Sequence, residues 1–148
     1  MAEFNLRPAV SDDFPAIRSL INAVHINPTG LDWRRFLVAI SLQHELLGCG
    51  QIKPHADGSS ELASIAVDER ARGIGIARGI IMALLAREAI RPLYLMCRAR
   101  LELFYNKFEF RVIPSDEMPP YFRRINQLAR LFNRDAGSED RLIVMRLD

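Results

Sequence analysis

Ile65-Ala66-Val67-Asp68-Glu69-Arg70-Ala71-Arg72-Gly73-Ile74-Gly75-Ile76-Ala77 is the stretch on which the reading of this chain turns. A strand-like apolar run enters a charged turn with two glycines, and a helical pattern begins directly after it. A helix that starts this way leaves its first N–H groups without intrahelical acceptors and carries partial positive charge at that end. Gly73 and Gly75 lack a Cβ, so a phosphate can approach those N–H groups closely. Arg70, Arg72 and Arg78 add formal positive charge. The same residues also suit a tight strand-to-helix turn in which glycine only relieves crowding. Two common phosphate loops are excluded. No Lys-Ser or Lys-Thr follows the glycines as in a Walker A loop, and Gly79 comes one position too late for G-x-G-x-x-G.

Outward from this turn, the pattern predicts alternating strands and helices. Residues 4–7 read as a strand closed by Pro8. Ser11, Asp12 and Asp13 offer N-caps and first-turn acids to a helix with Phe14, Ile17, Leu20, Ile21 and Val24 on its apolar face. Asn27-Pro28-Thr29-Gly30 stops that helix. Residues 36–40 and 46–53 read as strands with a turn near 43–45. Asp57-Gly58 predicts a type I′ hairpin turn, and residues 61–67 complete an antiparallel meander. A helix is predicted over 76–90, with Ile80, Ile81, Leu84 and Leu85 on one face. A strand over 93–97, a short helix over 101–107 and a strand over 110–113 follow. Pro119-Pro120 opens a late helix whose stripe of Tyr121, Ile125, Leu128 and Phe132 is expected in the core. A loop over 136–140 leads to a final strand over 142–147. The order β-α-β-β-β-α-β-α-β-α-β mixes hairpins with crossovers. It predicts an α/β fold, one domain over 1–148, with a mixed, mostly antiparallel sheet flanked by helices.

Composition narrows the function. The chain has 148 residues, 49% hydrophobic and 26% charged, which is globular and not disordered. A net charge of +2 is too balanced to indicate a nucleic-acid binder. Cys49 and Cys97 form no C-x-x-C or Cys/His cluster, which argues against a disulfide scaffold or structural zinc and for a reducing compartment. The opening residues carry acids and no apolar core segment, so no signal peptide is expected. The apolar runs 36–40 and 79–86 are far short of the ~20 residues that span a bilayer. The expectation is a cytoplasmic protein without metal or membrane.

Arg70-x-x-Gly73-x-Gly75 resembles the Q/R-x-x-G-x-G/A motif of the GNAT family of N-acetyltransferases. Phe104-Tyr105-Asn106-Lys107-Phe108-Glu109-Phe110 is similar to that family's FYEKLGF segment, and the element order matches over nearly the whole chain. The resemblance implies an acyl-CoA N-acyltransferase-like fold and acetyl-CoA as co-substrate. The turn amides of Arg72, Gly73, Ile74, Gly75, Ile76 and Ala77 would then hold the pyrophosphate. The backbone of Ile65, Ala66 and Val67 would pair with the pantetheine arm. Glu61 matches a position where many members carry a catalytic glutamate, and Tyr105 is the implied acid. Three residues depart from the family pattern: Ala71 and Glu109 where glycine is usual, and Arg98 where asparagine often sits.

Acetyl transfer needs a neutral amine. A lysine-like alkylammonium has a pKa near ~10.4, so a base must take its proton at neutral pH. Glu61 fits that role, directly or through a water, whereas Tyr105, a phenol of pKa near ~10, can protonate the departing thiolate. His25, His44 and His55 read as solvated or capping residues at a helix end and two turns, and Cys97 as a small buried hydrophobe. The resemblance places the acceptor between residues 27–35 and 114–124. Trp33, Tyr121 and Phe122 supply walls there, and Arg34, Arg35, Arg123 or Arg124 a partner for a carboxylate. The expected partner is a small-molecule, amino-acid-like amine, with a homodimer allowed and with neither nucleic acid nor membrane. A protein terminus or lysine as acceptor, and a non-catalytic acyl-CoA sensor, stand as alternatives. A nucleic-acid module on Arg123, Arg124, Arg130 and Arg134 is disfavoured by the balanced charge.

Overall fold

A computed structural model describes residues 3–132 and 137–148. Arg134 and Ala136, named above in the late helix and loop, lie outside the described residues. The elements are β1 (Phe4–Pro8), α1 (Phe14–Ala23), β2 (Phe36–Ser41), β3 (Leu46–Pro54), β4 (Ser60–Val67) and α2 (Ile76–Arg87). They continue with β5 (Leu93–Arg98), α3 (Glu102–Asn106), β6 (Arg111–Val112), α4 (Pro120–Phe132) and β7 (Leu142–Leu147). This is the predicted order. The strands form one mixed sheet in the order β1-β2-β3-β4-β5-β7-β6. Its pairs β1/β2, β2/β3, β5/β7 and β6/β7 are antiparallel, and β4 meets β5 in parallel at Glu61 and Tyr94. Among the described residues no helix is long and apolar enough to cross a membrane.

Several boundaries differ from expectation for local reasons. Ser11–Asp13 is a 3-10 turn and no acid caps α1. Asp13 instead accepts the Val10 N–H at 2.7 Å and pairs with Arg7 at 2.7 Å. Helix α1 stops before Asn27-Pro28, because His25 adopts φ +59°. Helix α2 ends at Arg87, with Glu88 already extended, so Ile90 is not on its face. Residues 101–107 divide into a 3-10 turn, Ala99–Leu101, and α3.

The chain divides into two compact units. The first comprises Met1–Lys53 and Leu62–Ala89. Ile17, Leu20 and Ile21 of α1 pack with Phe36, Val38 and Ile40 of β2, Cys49 of β3 and Ala66 of β4. Helix α2 lies close against β3 because Gly48 and Gly50 give it room. A Cβ on Gly48 would sit 2.6 Å from Ile76 Cγ2 and 3.2 Å from the Ala66 carbonyl oxygen. Ile80, Ile81 and Leu84 are fully buried in α2, each stabilising by about 1.5–3 kcal/mol.

The second unit comprises Pro54–Glu61 and Ile90–Asp148. Its core is Tyr94, Ile113, Met118, Phe122 and Val144. Here the expected α4 stripe is corrected. Phe122 and Asn126 face inward, Tyr121 and Ile125 are half-buried, and Leu128 and Phe132 are exposed. The reason lies at the helix start. Phe122 packs against Tyr94 with ring centroids 5.2 Å apart, which turns Tyr121 to the rim and rotates the helix by one position.

Gly48→Ala is expected to destabilise the protein by about 1–3 kcal/mol, because a branched side chain and a backbone carbonyl cannot both yield. Urea unfolding reads this as a lower midpoint at unchanged slope.

Candidate active site

The turn after β4 is built by Asp68. Its N–H bonds to the Leu47 carbonyl at 2.8 Å, and its carboxylate accepts the Arg70 N–H at 2.9 Å. The Arg70 guanidinium binds that same carboxylate through Nε at 3.2 Å and Nη2 at 3.1 Å. These bonds, the side-chain one first, hold the Asp68 carboxyl below its ordinary range. The charge of Arg70 is therefore engaged within the turn. Arg72 and Arg78 are exposed.

Gly73 and Gly75 have φ +83° and +89°, and a Cβ on either would meet no atom within 4 Å. Crowding does not select glycine here; the left-handed backbone does. Gly75 is the N-cap of α2, and the Gly79 N–H bonds to the Gly75 carbonyl at 2.9 Å. The N–H groups of Ile76, Ala77 and Arg78 precede it, as the first donors of a helix, without intrahelical acceptors. Just upstream, Ser64 takes φ +60° inside β4. The fully buried Gln51 donates from Nε2 to Ser64 Oγ at 2.8 Å, and the Cys49 thiol lies 3.6 Å from the Ser64 carbonyl. A left-handed residue there interrupts the pleat ahead of Ile65, Ala66 and Val67.

Glu61 is buried, 6% exposed, where the sequence admitted a surface glutamate. Its Oε1 lies 2.7 Å from His55 Nε2, and both side chains are 8% exposed. The His55 ring stacks on Tyr121 at 3.7 Å with planes 21° apart and meets the edge of Phe122 at 5.6 Å. The solvated reading of His55 is thus overturned. The cause is the loop. The His55 N–H bonds to the Ser59 carbonyl at 2.9 Å and the Gly58 N–H to the His55 carbonyl at 3.0 Å. Of residues 56–58 only Gly58, φ +88°, is left-handed. This is a three-residue loop ending in a left-handed glycine, not a type I′ turn. It sets His55 opposite Ser59, and Glu61, two positions on, shares their face.

Asp57 in that loop accepts the Tyr121 N–H at 3.0 Å. Pro119 and Pro120 have no N–H, so Tyr121 carries the first donor of α4 and Asp57 caps it from outside the helix. Burial pushes the Asp57 carboxyl up, but hydrogen bonds from Ser59 and the Tyr121 N–H outweigh it and hold it below its ordinary value. The Tyr121 phenol is raised, by burial and then by the Glu61 charge.

Tyr105 on α3 is 8% exposed, edge-on to Phe104 at 5.0 Å and Phe110 at 6.3 Å. Burial, with the neighbouring Cys97 second, raises its phenol far above the usual value. Cys97 itself is pushed up to about 12, mainly by burial. Both keep their protons at neutral pH. Glu109 adopts φ +74°, a conformation that glycine takes without strain. Arg98 donates to the Asp140 carbonyl at 2.9 Å, which accounts for its head group. Of the arginines expected to meet a carboxylate, Arg34 pairs with Asp32 at 3.3 Å and Arg123 donates to the Ser115 and Met118 carbonyls. Phe122 is buried in its unit's core and forms no outer wall. Among the described residues no cluster of three or more His, Cys, Asp or Glu could hold a metal ion.

Residues 32–112, over half of the chain, match the acetyltransferase (GNAT) domain family. The chain belongs to that family. No curated protein matches the sequence. Among solved structures, it is similar to N-acetylglutamate synthase from Neisseria gonorrhoeae complexed with coenzyme A and N-acetyl-glutamate. The identity is 21% and the TM-score 0.70, over 100% of this chain and 36% of that one. The chain thus spans about a third of that relative's length. It is similar to Rv2747 from Mycobacterium tuberculosis in complex with CoA, at 20% identity and TM-score 0.72, over 97% of this chain and 98% of that one. An acyl-CoA N-acyltransferase from Pseudomonas aeruginosa matches at 18% identity and TM-score 0.67, over 100% of both chains. At these identities the likeness establishes the fold.

Because the folded-state pKa of Asp57 is depressed, its bonds stabilise the protein at neutral pH and that contribution is lost as pH falls through the carboxylate range. Asp57→Ala is expected to cost about 0.5–2 kcal/mol at neutral pH, as for lost helix caps. It should also flatten the acid side of the stability–pH curve, followed by thermal melts from pH 7 to 3.

Proposed function

We propose that residues 1–148 form one acetyltransferase domain that moves the acetyl group of acetyl-CoA to the primary amine of a small, amino-acid-like acceptor. The observation that carries this reading is the left-handed turn at Gly73 and Gly75 ahead of α2, where a Cβ on either glycine would meet no atom within 4 Å. Donors and dipole there suit a pyrophosphate, with Arg72 and Arg78 adding charge. The backbone of Ile65, Ala66 and Val67, beyond the Ser64 interruption, takes the pantetheine arm as an added strand. The solved structures with coenzyme A support this assignment. The two free cysteines support a reducing, cytoplasmic setting.

In this reading Glu61 accepts a proton from the acceptor's ammonium group, directly or through a water, which frees the nitrogen lone pair. The nitrogen attacks the thioester carbonyl, and a backbone N–H near Ala66 or Val67 meets the oxyanion. Collapse breaks the C–S bond, and Tyr105 gives its proton to the thiolate of coenzyme A. Burial makes Tyr105 a weaker acid, but it strengthens a thiolate in the same surroundings as a base. Burial, then the Glu102 charge, likewise raises the neighbouring Cys97 thiol to about 12. N-acetyl-glutamate in the Neisseria structure supports an amino-acid acceptor. Arg35 and Arg124 are the cations of the expected set that remain for its carboxylate, Arg34 and Arg123 being engaged.

Acetyl-CoA at about 100 times its Kd should stabilise the protein by roughly 2.7 kcal/mol, read as a rise in melting temperature. Gly75→Glu places bulk and negative charge at the pyrophosphate and is expected to abolish that rise. An undiminished rise places the phosphate site elsewhere. With an acceptor found by screening an amine panel for acetyl-CoA consumption, Tyr105→Phe is expected to lower kcat about 10²-fold with a smaller change in KM for acetyl-CoA. Binding without turnover on any amine would indicate the acyl-CoA sensor instead.

A further inference from the structure

Gln51 is a buried polar side chain with no part in the chemistry above. It lies inside β3, 0% exposed, two positions from Cys49 and on the same face of the strand. Its Nε2 donates to Ser64 Oγ at 2.8 Å. Its Oε1 is buried and has no hydrogen-bond partner among the described residues. A buried amide with half its capacity unpaired is a poor core residue, because an apolar side chain of the same length fills the space without that cost. What the amide supplies instead is a bond to one particular residue. Ser64 has φ +60° inside a strand, a conformation that is unfavourable for an L residue and that glycine takes freely. Two neighbours on one face of β3 hold it there: Gln51 through the hydroxyl, and the Cys49 thiol through the carbonyl at 3.6 Å. Burial raises that thiol to about 12, so it keeps its proton and remains a donor.

We propose that Gln51 is a positioning residue for acetyl-CoA: it holds Ser64 left-handed and so keeps the backbone of Ile65, Ala66 and Val67 in the form that pairs with the pantetheine arm. The role rests on the acetyltransferase reading and on that strand as the pantetheine site. A strand turns its backbone donors and acceptors alternately to its two edges, and one left-handed residue re-aims those that follow. Here the residues that follow are fixed on both faces. Ile65 lies over Gly50, where a Cβ would come within 2.6 Å of its Cδ1, and Ala66 packs in the core with Cys49. The Asp68 N–H is bound to the Leu47 carbonyl. A Ser64 relaxed to extended backbone would turn Ile65 and Ala66 over or pull Asp68 off that carbonyl. The strand therefore has two distinct arrangements, and the pantetheine arm pairs with the interrupted one. Apparent affinity then scales with the fraction of chains that hold the interruption, and the Gln51 bond raises that fraction.

Calorimetric titration with acetyl-CoA reads this role without an acceptor amine. Gln51→Met keeps the length of the side chain and removes the donor. Ser64→Ala keeps an L residue on that backbone and removes the hydroxyl. Each is expected to raise the Kd for acetyl-CoA about tenfold, the size of a left-handed penalty no longer offset. The two together are expected to cost no more than either alone, because they break one bond. Ser64→Gly is the rescue. Glycine takes a positive φ without help, so Gln51→Met combined with Ser64→Gly is expected to bind within about threefold of wild type. A glutamine that only filled the core would not be rescued by removing a side chain from the next strand. Circular dichroism and thermal melts establish that each variant is folded. Should Gln51→Met not fold, Ser64→Ala against Ser64→Gly carries the same test, with weakened binding expected in the first and near wild-type binding in the second. A wild-type Kd in both Gln51→Met and Ser64→Ala overturns the proposal. So does an equal loss in Gln51→Met whether position 64 holds serine or glycine. A wild-type protein that binds no acetyl-CoA overturns the acetyltransferase reading, and the role of Gln51 falls with it.

Discussion

The bond from the Tyr121 N–H to Asp57 joins the start of α4 to the loop between β3 and β4, and much of the second unit follows from it. A helix that begins Pro119-Pro120 cannot cap itself with a side chain at its first donor. Borrowing a carboxylate from a loop 64 positions away satisfies that donor and also sets where α4 lies on the loop. With Asp57 below Tyr121, the Tyr121 ring falls on His55 and Phe122 falls on Tyr94. The bond ties the loop that brings His55 to Glu61 to the helix whose rotation Phe122 sets against Tyr94.

The first unit is organised by a different economy, the use of missing side chains. Gly48 and Gly50 bring α2 close to β3, while Gly73 and Gly75 turn the chain through left-handed backbone just before α2 begins. The first pair acts through contact, the second through conformation. The first pair meets Ile76, Ile80 and Leu84 along one helix, and the second ends at the N-cap of that helix.

Much of this was readable from residues alone. The order of strands and helices, the bounds of β7 and the glycine turn follow from periodicity and punctuation, because each is decided within a few neighbouring residues. The inward face of α4 and the environment of His55 are decided elsewhere. A type I′ turn at Asp57-Gly58 would pair His55 with Ser60 and leave Glu61 on the opposite face; one more loop residue brings His55 and Glu61 together. The signal was present in His55 and Glu61 flanking an Asp-Gly loop, but only the register gives it meaning. Glu109 illustrates the reverse case. Its departure from the family glycine was visible, and its φ of +74° shows that the backbone kept the glycine conformation when the residue changed.

The two cysteines bear on how the protein behaves among electrophiles and oxidants. Cys49 and Cys97 are buried, unpaired, and both pushed up to about 12 by burial. The thiolate is the reactive form, so at neutral pH the folded chain presents almost none of it to alkylating agents or disulfides. Labelling of either cysteine would report that the fold has opened.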